Sequence, residues 1–209
     1  MYQRALEGYE KTLRRDHIST LNTVNNLGTL YADQGKLGEV EKMYQRALEG
    51  YEKALGWDHT STLNTVNNLG ALYADQGKQS EAEKLYQQAL EGYEKALRPE
   101  LAASYIPALN TVHNLGLLFD SQHAVDKAKA MYVRALAGYE RALGDNHEKC
   151  QDIREKLSSL HIPVEETNVS EDSTSNCTPT ISQGMSHSNA PPSTPVYRRR
   201  RLFRKLGLR

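Results

Sequence analysis

Residues 56–97 read GWDHTSTLNTVNNLGALYADQGKQSEAEKLYQQALEGYEKAL, and almost the same stretch occupies residues 14–55. Its pattern is that of two helices. Val66, Leu69 and Tyr73 recur at i, i+3 and i+7, which is one face of a helix. Ala82, Leu85, Tyr86, Ala89, Leu90, Tyr93 and Leu97 then keep a 3.6-residue period through a second, longer helix. Ser61 and Thr62 follow the turn-like GWDH and are expected to cap the first helix. DQGK, at 75–78, separates the two, with Gly77 placed to take the left-handed conformation that ends a helix. Gly70 and Ala82 carry almost no side chain, so the helices are expected to cross closely there, with Leu69, Tyr73, Tyr86 and Ala89 filling the space around the contact.

Outward from this stretch the chain repeats itself. MYQRALEGYEK begins at Met1 and again at Met43; LYQQALEGYEKAL begins at Leu85 and MYVRALAGYERAL at Met131. Residues 1–36 and 43–78 differ only at Thr12/Ala54, Arg14/Gly56, Arg15/Trp57, Ile18/Thr60 and Thr29/Ala71. So near a duplication makes the recurrence of a residue weak support for its importance. One unit alone leaves an apolar face wet, and stacked neighbours cover it.

The run Val66-x2-Leu69-Gly70-x2-Tyr73, followed by Ala82, Tyr86 and Ala89, resembles the tetratricopeptide repeat. The same positions are Val24, Leu27, Gly28, Tyr31, Val40, Tyr44 and Ala47 one unit earlier, and Val112, Leu115, Gly116, Phe119, Ala128, Tyr132 and Ala135 one unit later. Val in place of the opening Trp, Val40 in place of Ala and a lengthened second helix depart from the family pattern. The 42-residue period resembles the kinesin-light-chain variety, and near-identical arrays are also typical of the C-terminal sensor regions of fungal nucleotide-binding receptor-like proteins. The resemblance implies an all-α, right-handed α-solenoid over residues 1–161. Its expected parts are a half repeat at 1–18, full repeats at about 19–56, 57–98 and 99–143, and a capping helix at 146–161. Glu148–Leu160 stands where another first helix would, with Ile153 and Leu157 on one face and charges opposite. Met1 aligns with an internal residue of a second helix, which makes the chain read as a fragment whose uncovered N-terminal face is open to self-association. Four extra residues within RPELAASYIPALN, at 98–110, read as loop-length variation, or as a lip offering Tyr105 and Ile106 to a partner.

In this family the first helices line an inner groove. Here their polar positions are Asn22, Asn64 and Asn110, then Asn25, Asn67 and His113 one turn on. An asparagine offers a donor and an acceptor, so a ladder of them suits an extended peptide backbone of any sequence; the kinesin-light-chain resemblance implies such a ladder. Asn26, Asn68 and Asn114 are expected to bond nearby backbone instead. Asp33 and Asp75 add negative charge near the rim and favour a partner with Lys or Arg. His113, the break in the ladder, reads as a solvated side chain with modest pH sensitivity as the alternative.

Chemistry is not legible. The pairs Asp16–His17 and Asp58–His59 sit in the inter-repeat turn and read as turn and capping residues rather than metal ligands or acid–base dyads. The sequence holds no phosphate-binding G-x-x-x-x-G-K-S/T, no G-x-S-x-G, no H-E-x-x-H and no paired C-x-x-C. No cofactor and no metal are expected, nor is enzymatic activity.

The 26 basic and 26 acidic residues balance overall but not locally. Residues 1–161 hold 19 basic and 22 acidic, 162–197 four acidic and no basic, and 198–209 seven basic and no acidic. Residues 162–196 contain seven Ser, five Thr and five Pro, a disordered composition for the 162–197 linker. The basic tail, Arg198, Arg199, Arg200, Arg201, Arg204 and Lys205 with Leu202, Phe203 and Leu206, reads first as a solvated end. An import signal, a segment docking back on the acidic solenoid, and a nucleic-acid or membrane contact follow. Two cysteines, Cys150 and Cys177, make no disulfide framework. With no secretory apolar core in MYQRALEGYEKTLRRD, a cytoplasmic location is expected, or a nuclear one through the tail. The expected function is to hold a peptide or partner protein in the groove as adaptor or scaffold. The alternatives are the C-terminal sensor of a receptor-like signalling NTPase and a cargo adaptor of the kinesin-light-chain kind.

Overall fold

The structure, a computed structural model, describes residues 2–160. The expected disordered linker and the basic tail, with Arg198–Arg201, Arg204 and Lys205, lie outside the described residues. Among those described there are nine helices and no strand. They are α1 (Tyr2–Leu13), α2 (Ile18–Asp33), α3 (Leu37–Leu55), α4 (Thr60–Asp75), α5 (Gln79–Ala96), the four-residue α6 (Pro99–Ala102), α7 (Ile106–Ser121), α8 (Val125–Leu143) and α9 (Glu148–Ser159). The pairs α2–α3, α4–α5 and α7–α8 are helix–turn–helix units, and each second helix packs on the first helix of the next unit. The chain is an all-α solenoid.

Local chemistry sets the ends of each helix. The expected Ser61 and Thr62 caps are corrected by the structure: α4 starts earlier, and its cap is His59, whose Nδ1 accepts the Ser61 N–H at 3.1 Å. Thr62 turns back instead, its hydroxyl donating to the Gly56 carbonyl at 2.8 Å. His17 and His147 cap α2 and α9 in the same way, each at 3.2 Å. An imidazole nitrogen does here what a Ser or Asp oxygen does in most N-caps, satisfying one of the four orphan donors of the first turn. At the other end Gly77 takes φ +77°; its N–H meets the Ala74 carbonyl and the Lys78 N–H meets that of Tyr73, the paired bonds of a Schellman close. The third unit makes the same close with His123 at φ +57°.

Packing within a unit depends on two close approaches. A Cβ on Gly70 would stand 2.8 Å from the Tyr86 ring, so the ring lies directly over the glycine backbone. The second approach, Gly92 under Leu63, was not expected; a Cβ there would run into a Leu63 methyl. Around them Val66, Ala82, Ala89 and Tyr93 are fully buried. These small-against-large contacts recur with the repeat, which is why the units stack with one geometry.

Successive first helices touch one another (α2 with α4, α4 with α7), whereas outside its own unit each second helix meets chiefly the first helix that follows. The stack therefore bends toward the row of first helices, and that row lines its inner side. The extra residues at 98–110 form α6 and a turn. Tyr105 is half-buried and meets the Tyr93 ring edge-on at 5.6 Å, and Ile106 packs on the core of the third unit. Both side chains pack against the core and are only partly exposed, which favours the reading as loop-length variation over that of a lip. At the two ends the faces differ. Helix α1 buries no residue and leaves Tyr2 and Tyr9 exposed, although their counterparts Tyr44, Tyr51, Tyr86 and Tyr93 are buried. Helix α9 buries Cys150 and Ile153 against the third unit and turns Gln151, Arg154, Glu155 and Ser158 to solvent.

Candidate functional site

The inner row is built from polar side chains that hold one another. In each unit a tyrosine of the second helix donates to an asparagine of the first, always 29 residues earlier: Tyr51 to Asn22, Tyr93 to Asn64 at 2.9 Å, and Tyr139 to Asn110 at 2.7 Å. All three phenols are pushed up by burial, that of Tyr51 to about 12, so the hydroxyls stay protonated and able to donate. Lys149 of α9 adds a 2.7 Å bond to the same Asn110 oxygen while its ammonium lies over the Tyr139 ring. A lysine can only donate, so the atom it meets is an acceptor.

The next turn links one unit to the next. Asn68 donates to the Asn25 oxygen at 3.3 Å, which also accepts from Thr65, and Asn114 donates to that of Asn67 at 3.1 Å. The expectation that Asn68 and Asn114 bond nearby backbone is thereby corrected: they are cross-unit ties to the ladder. Asn26 is exposed.

The six ladder positions are not equally accessible. Asn22 is exposed, and Asn25, Asn64 and Asn110 are half-buried. Asn67 is 8% exposed and His113 only 5%. His113 is therefore not the solvated side chain expected. Its ring lies against Tyr132 and Tyr139, and neither ring nitrogen has a hydrogen-bond partner. Burial, reinforced by Lys156 and Lys149, pushes its pKa down to about 3. The neutral ring makes no ion pair with Asp152, 3.9 Å away, at neutral pH. Asp33 is exposed and Asp75 half-buried, each the last residue of its first helix.

Sequence reasoning missed Tyr51, Tyr93, Tyr139 and Lys149. The signal was present for the tyrosines: they recur with the asparagines at a fixed separation. A cleft of about 430 Å³ beside α6 is lined by Leu90, Ala102, Ala103 and Leu109 and by the ion-paired Arg134 and Glu94. No three His, Cys, Asp or Glu side chains come together as a metal site among the described residues. Nor is any described helix long and apolar enough to cross a membrane.

Comparison with known proteins agrees with this architecture. Models of the tetratricopeptide repeat match residues 1–53 and 41–95, and another model of the same repeat matches residues 109–148. No curated protein matches the chain in sequence. Among solved structures, BtubC (BKLC) from P. vanneervenii is 20% identical, with TM-score 0.57, covering 88% of this chain and 78% of its own. A putative kinesin light chain from Podosopora anserina, with nearly identical tetratricopeptide-like repeats, is 22% identical over 76% of this chain in two crystal structures. Their TM-scores are 0.59 and 0.58, with 73% and 74% of those chains covered. Repeats of this kind form protein–protein interaction scaffolds. With the repeat matched over most of its described length and stacked as that repeat stacks, the chain belongs to the tetratricopeptide repeat family.

Proposed function

We propose that the chain is a binding module without chemistry of its own, holding a peptide or an extended segment of a partner protein along its row of first helices. The observation that carries this reading is the ladder itself. Asn22, Asn25, Asn64 and Asn110 present carboxamides on the inner side, each pinned in one orientation by a bond from another helix. Preorganised polar groups at a regular interval reduce the ordering cost of binding an extended chain. Asn67 and His113 lie beneath this surface and support it. Asp33 and Asp75 at the helix ends favour basic side chains on the ligand, through their own charge and the negative pole of each helix.

Photo-crosslinking tests the reading. A benzophenone amino acid is placed at Asn22, on the inner row, or at Gln87, exposed on the second helix α5, and each form is mixed with extract of the source cells. Crosslinks from position 22 that are absent from position 87 are expected. Crosslinks confined to position 87 would place the partner on the other side of the stack and contradict the proposal.

A further inference from the structure

One glutamate stands at the same register of α1, α3, α5 and α8: Glu10, Glu52, Glu94 and Glu140. Three of the four hold an arginine from the next unit. Arg46 reaches Glu10 at 2.6 Å, Arg134 pairs with Glu94, and Arg154 pairs with Glu140. Arg15, in the turn after α1, brings a second guanidinium to 3.8 Å from Glu10. At Glu52 both arginines are replaced: Gln88 stands at the register of Arg46 and Arg134, and Trp57 at that of Arg15. The turns match, with Gly56 at φ +91° and Arg14 at +78°, so Trp57 stands at the rim of the Glu52 site, and it is 54% exposed. Glu52 is half-buried and takes part in no ion pair among the described residues. Lys53 of the same helix and Lys95, at the register of Arg141, are exposed and pair with neither Glu52 nor Glu49. Burial, reinforced by the charge of Glu49, raises the Glu52 carboxyl above its ordinary value.

We propose that the Glu52–Trp57 site takes an arginine from the run at 198–201, so that the chain's own basic tail docks on the edge between α3 and α5. The acceptor is one that binds a guanidinium in each of the three sister units, by a charge-assisted bond. Trp57 adds an indole face, on which a guanidinium stacks. Residues 198–209 hold seven basic and no acidic residues, so the tail complements a site with two carboxylates and no cation of its own. Its length permits the contact: the 37 residues at 161–197 reach on the order of 120 Å when extended, several times the ~28 Å length of α3. An exposed ion pair is weak by itself, and tethering compensates by holding the arginines at an effective concentration on the order of millimolar.

The full chain is tested by NMR with a nitroxide on Leu208→Cys, made in the Cys177→Ser background; Cys150 is buried and stays unlabelled. Trp57 is the only tryptophan, so its indole N–H signal reads the site directly. At low salt the nitroxide should reduce that signal to below about half, as expected if the tether keeps the tail docked most of the time. The signal should recover in about 0.5 M salt, where the Debye length is roughly 4 Å. Gln88→Arg gives Glu52 the partner its sisters have, and Glu52→Gln removes the charge; both should restore the signal at low salt. Gln87→Arg, which adds the same charge one position away, should leave the loss in place. An indole signal that the nitroxide never weakens would overturn the inference, and so would a loss that persists in Gln88→Arg and Glu52→Gln.

Discussion

His113 is the one ladder position where pairing fails. Asn25 and Asn67 each receive an amide from the following unit, but α9 brings Lys156 to the corresponding place, and the imidazole stays buried with both nitrogens unpaired. An unpaired buried polar group costs about 1–3 kcal/mol, so His113→Asn, which restores the acceptor, should stabilise by about 1 kcal/mol. The pH dependence has a definite sign. The folded ring titrates near 3 against an ordinary 6.5, so between these values the unfolded chain binds a proton that the folded chain refuses. Stability is full above pH ~6.5 and falls as the pH drops toward ~3, by an amount on the order of a few kcal/mol. Urea melts at pH 7 and 4.5 should show this fall in the native chain and a smaller one in His113→Asn; equal falls would remove His113 as the cause. Backbone strain gives a second case. Arg14 holds φ +78° where Gly56 and Gly144 stand in other units, and His123 holds φ +57° where Gly35 and Gly77 stand. Arg14→Gly and His123→Gly should each raise stability by about 0.5–1 kcal/mol, and calorimetry would reveal a lower Tm if either side chain contributes a contact outweighing its strain.

Between helices, the contact at Gly70 decides the packing. Alanine is the better helix former by about 1 kcal/mol, yet its Cβ would stand 2.8 Å from the Tyr86 ring. Overpacking typically costs about 1–3 kcal/mol, so Gly70→Ala should destabilise by up to about 2 kcal/mol in chemical denaturation, and a clear stabilisation would mean that the helices can separate freely. The helices and this close approach were legible because periodicity and missing side chains are properties of sequence alone. The caps were half legible: the pairs Asp16–His17 and Asp58–His59 read as turn and capping residues, and both histidines are caps, but the commoner Ser-Thr signal drew the first-helix cap to Ser61 and Thr62. The ladder was half legible. Asn22, Asn64 and Asn110 announced themselves by spacing, but their orientation depends on tyrosines 29 residues on, a contact that exists only once the second helix has folded back. Burial of Asn67 and His113 was hidden for the same reason: depth along a first helix is set by the unit that stacks on it.

Across the molecule, stability follows the stacking. A solenoid is held by nearest neighbours, and α1 buries none of its residues whereas α4 and α5 are packed from both sides. Native-state hydrogen exchange should therefore run from fastest in α1 to slowest in α4 and α5; uniform protection would signal one global unfolding unit instead. The same stacking carries the functional surface, because each carboxamide is oriented by a neighbouring helix and the row exists only in the assembled array. The most direct test follows the side-chain amide NMR signals of Asn22, Asn64 and Asn110 while the segment recovered by crosslinking is titrated in. The account predicts that these NH2 resonances shift together and saturably. It would be contradicted if they stayed fixed while backbone amides on the exposed faces of α5 and α8 moved.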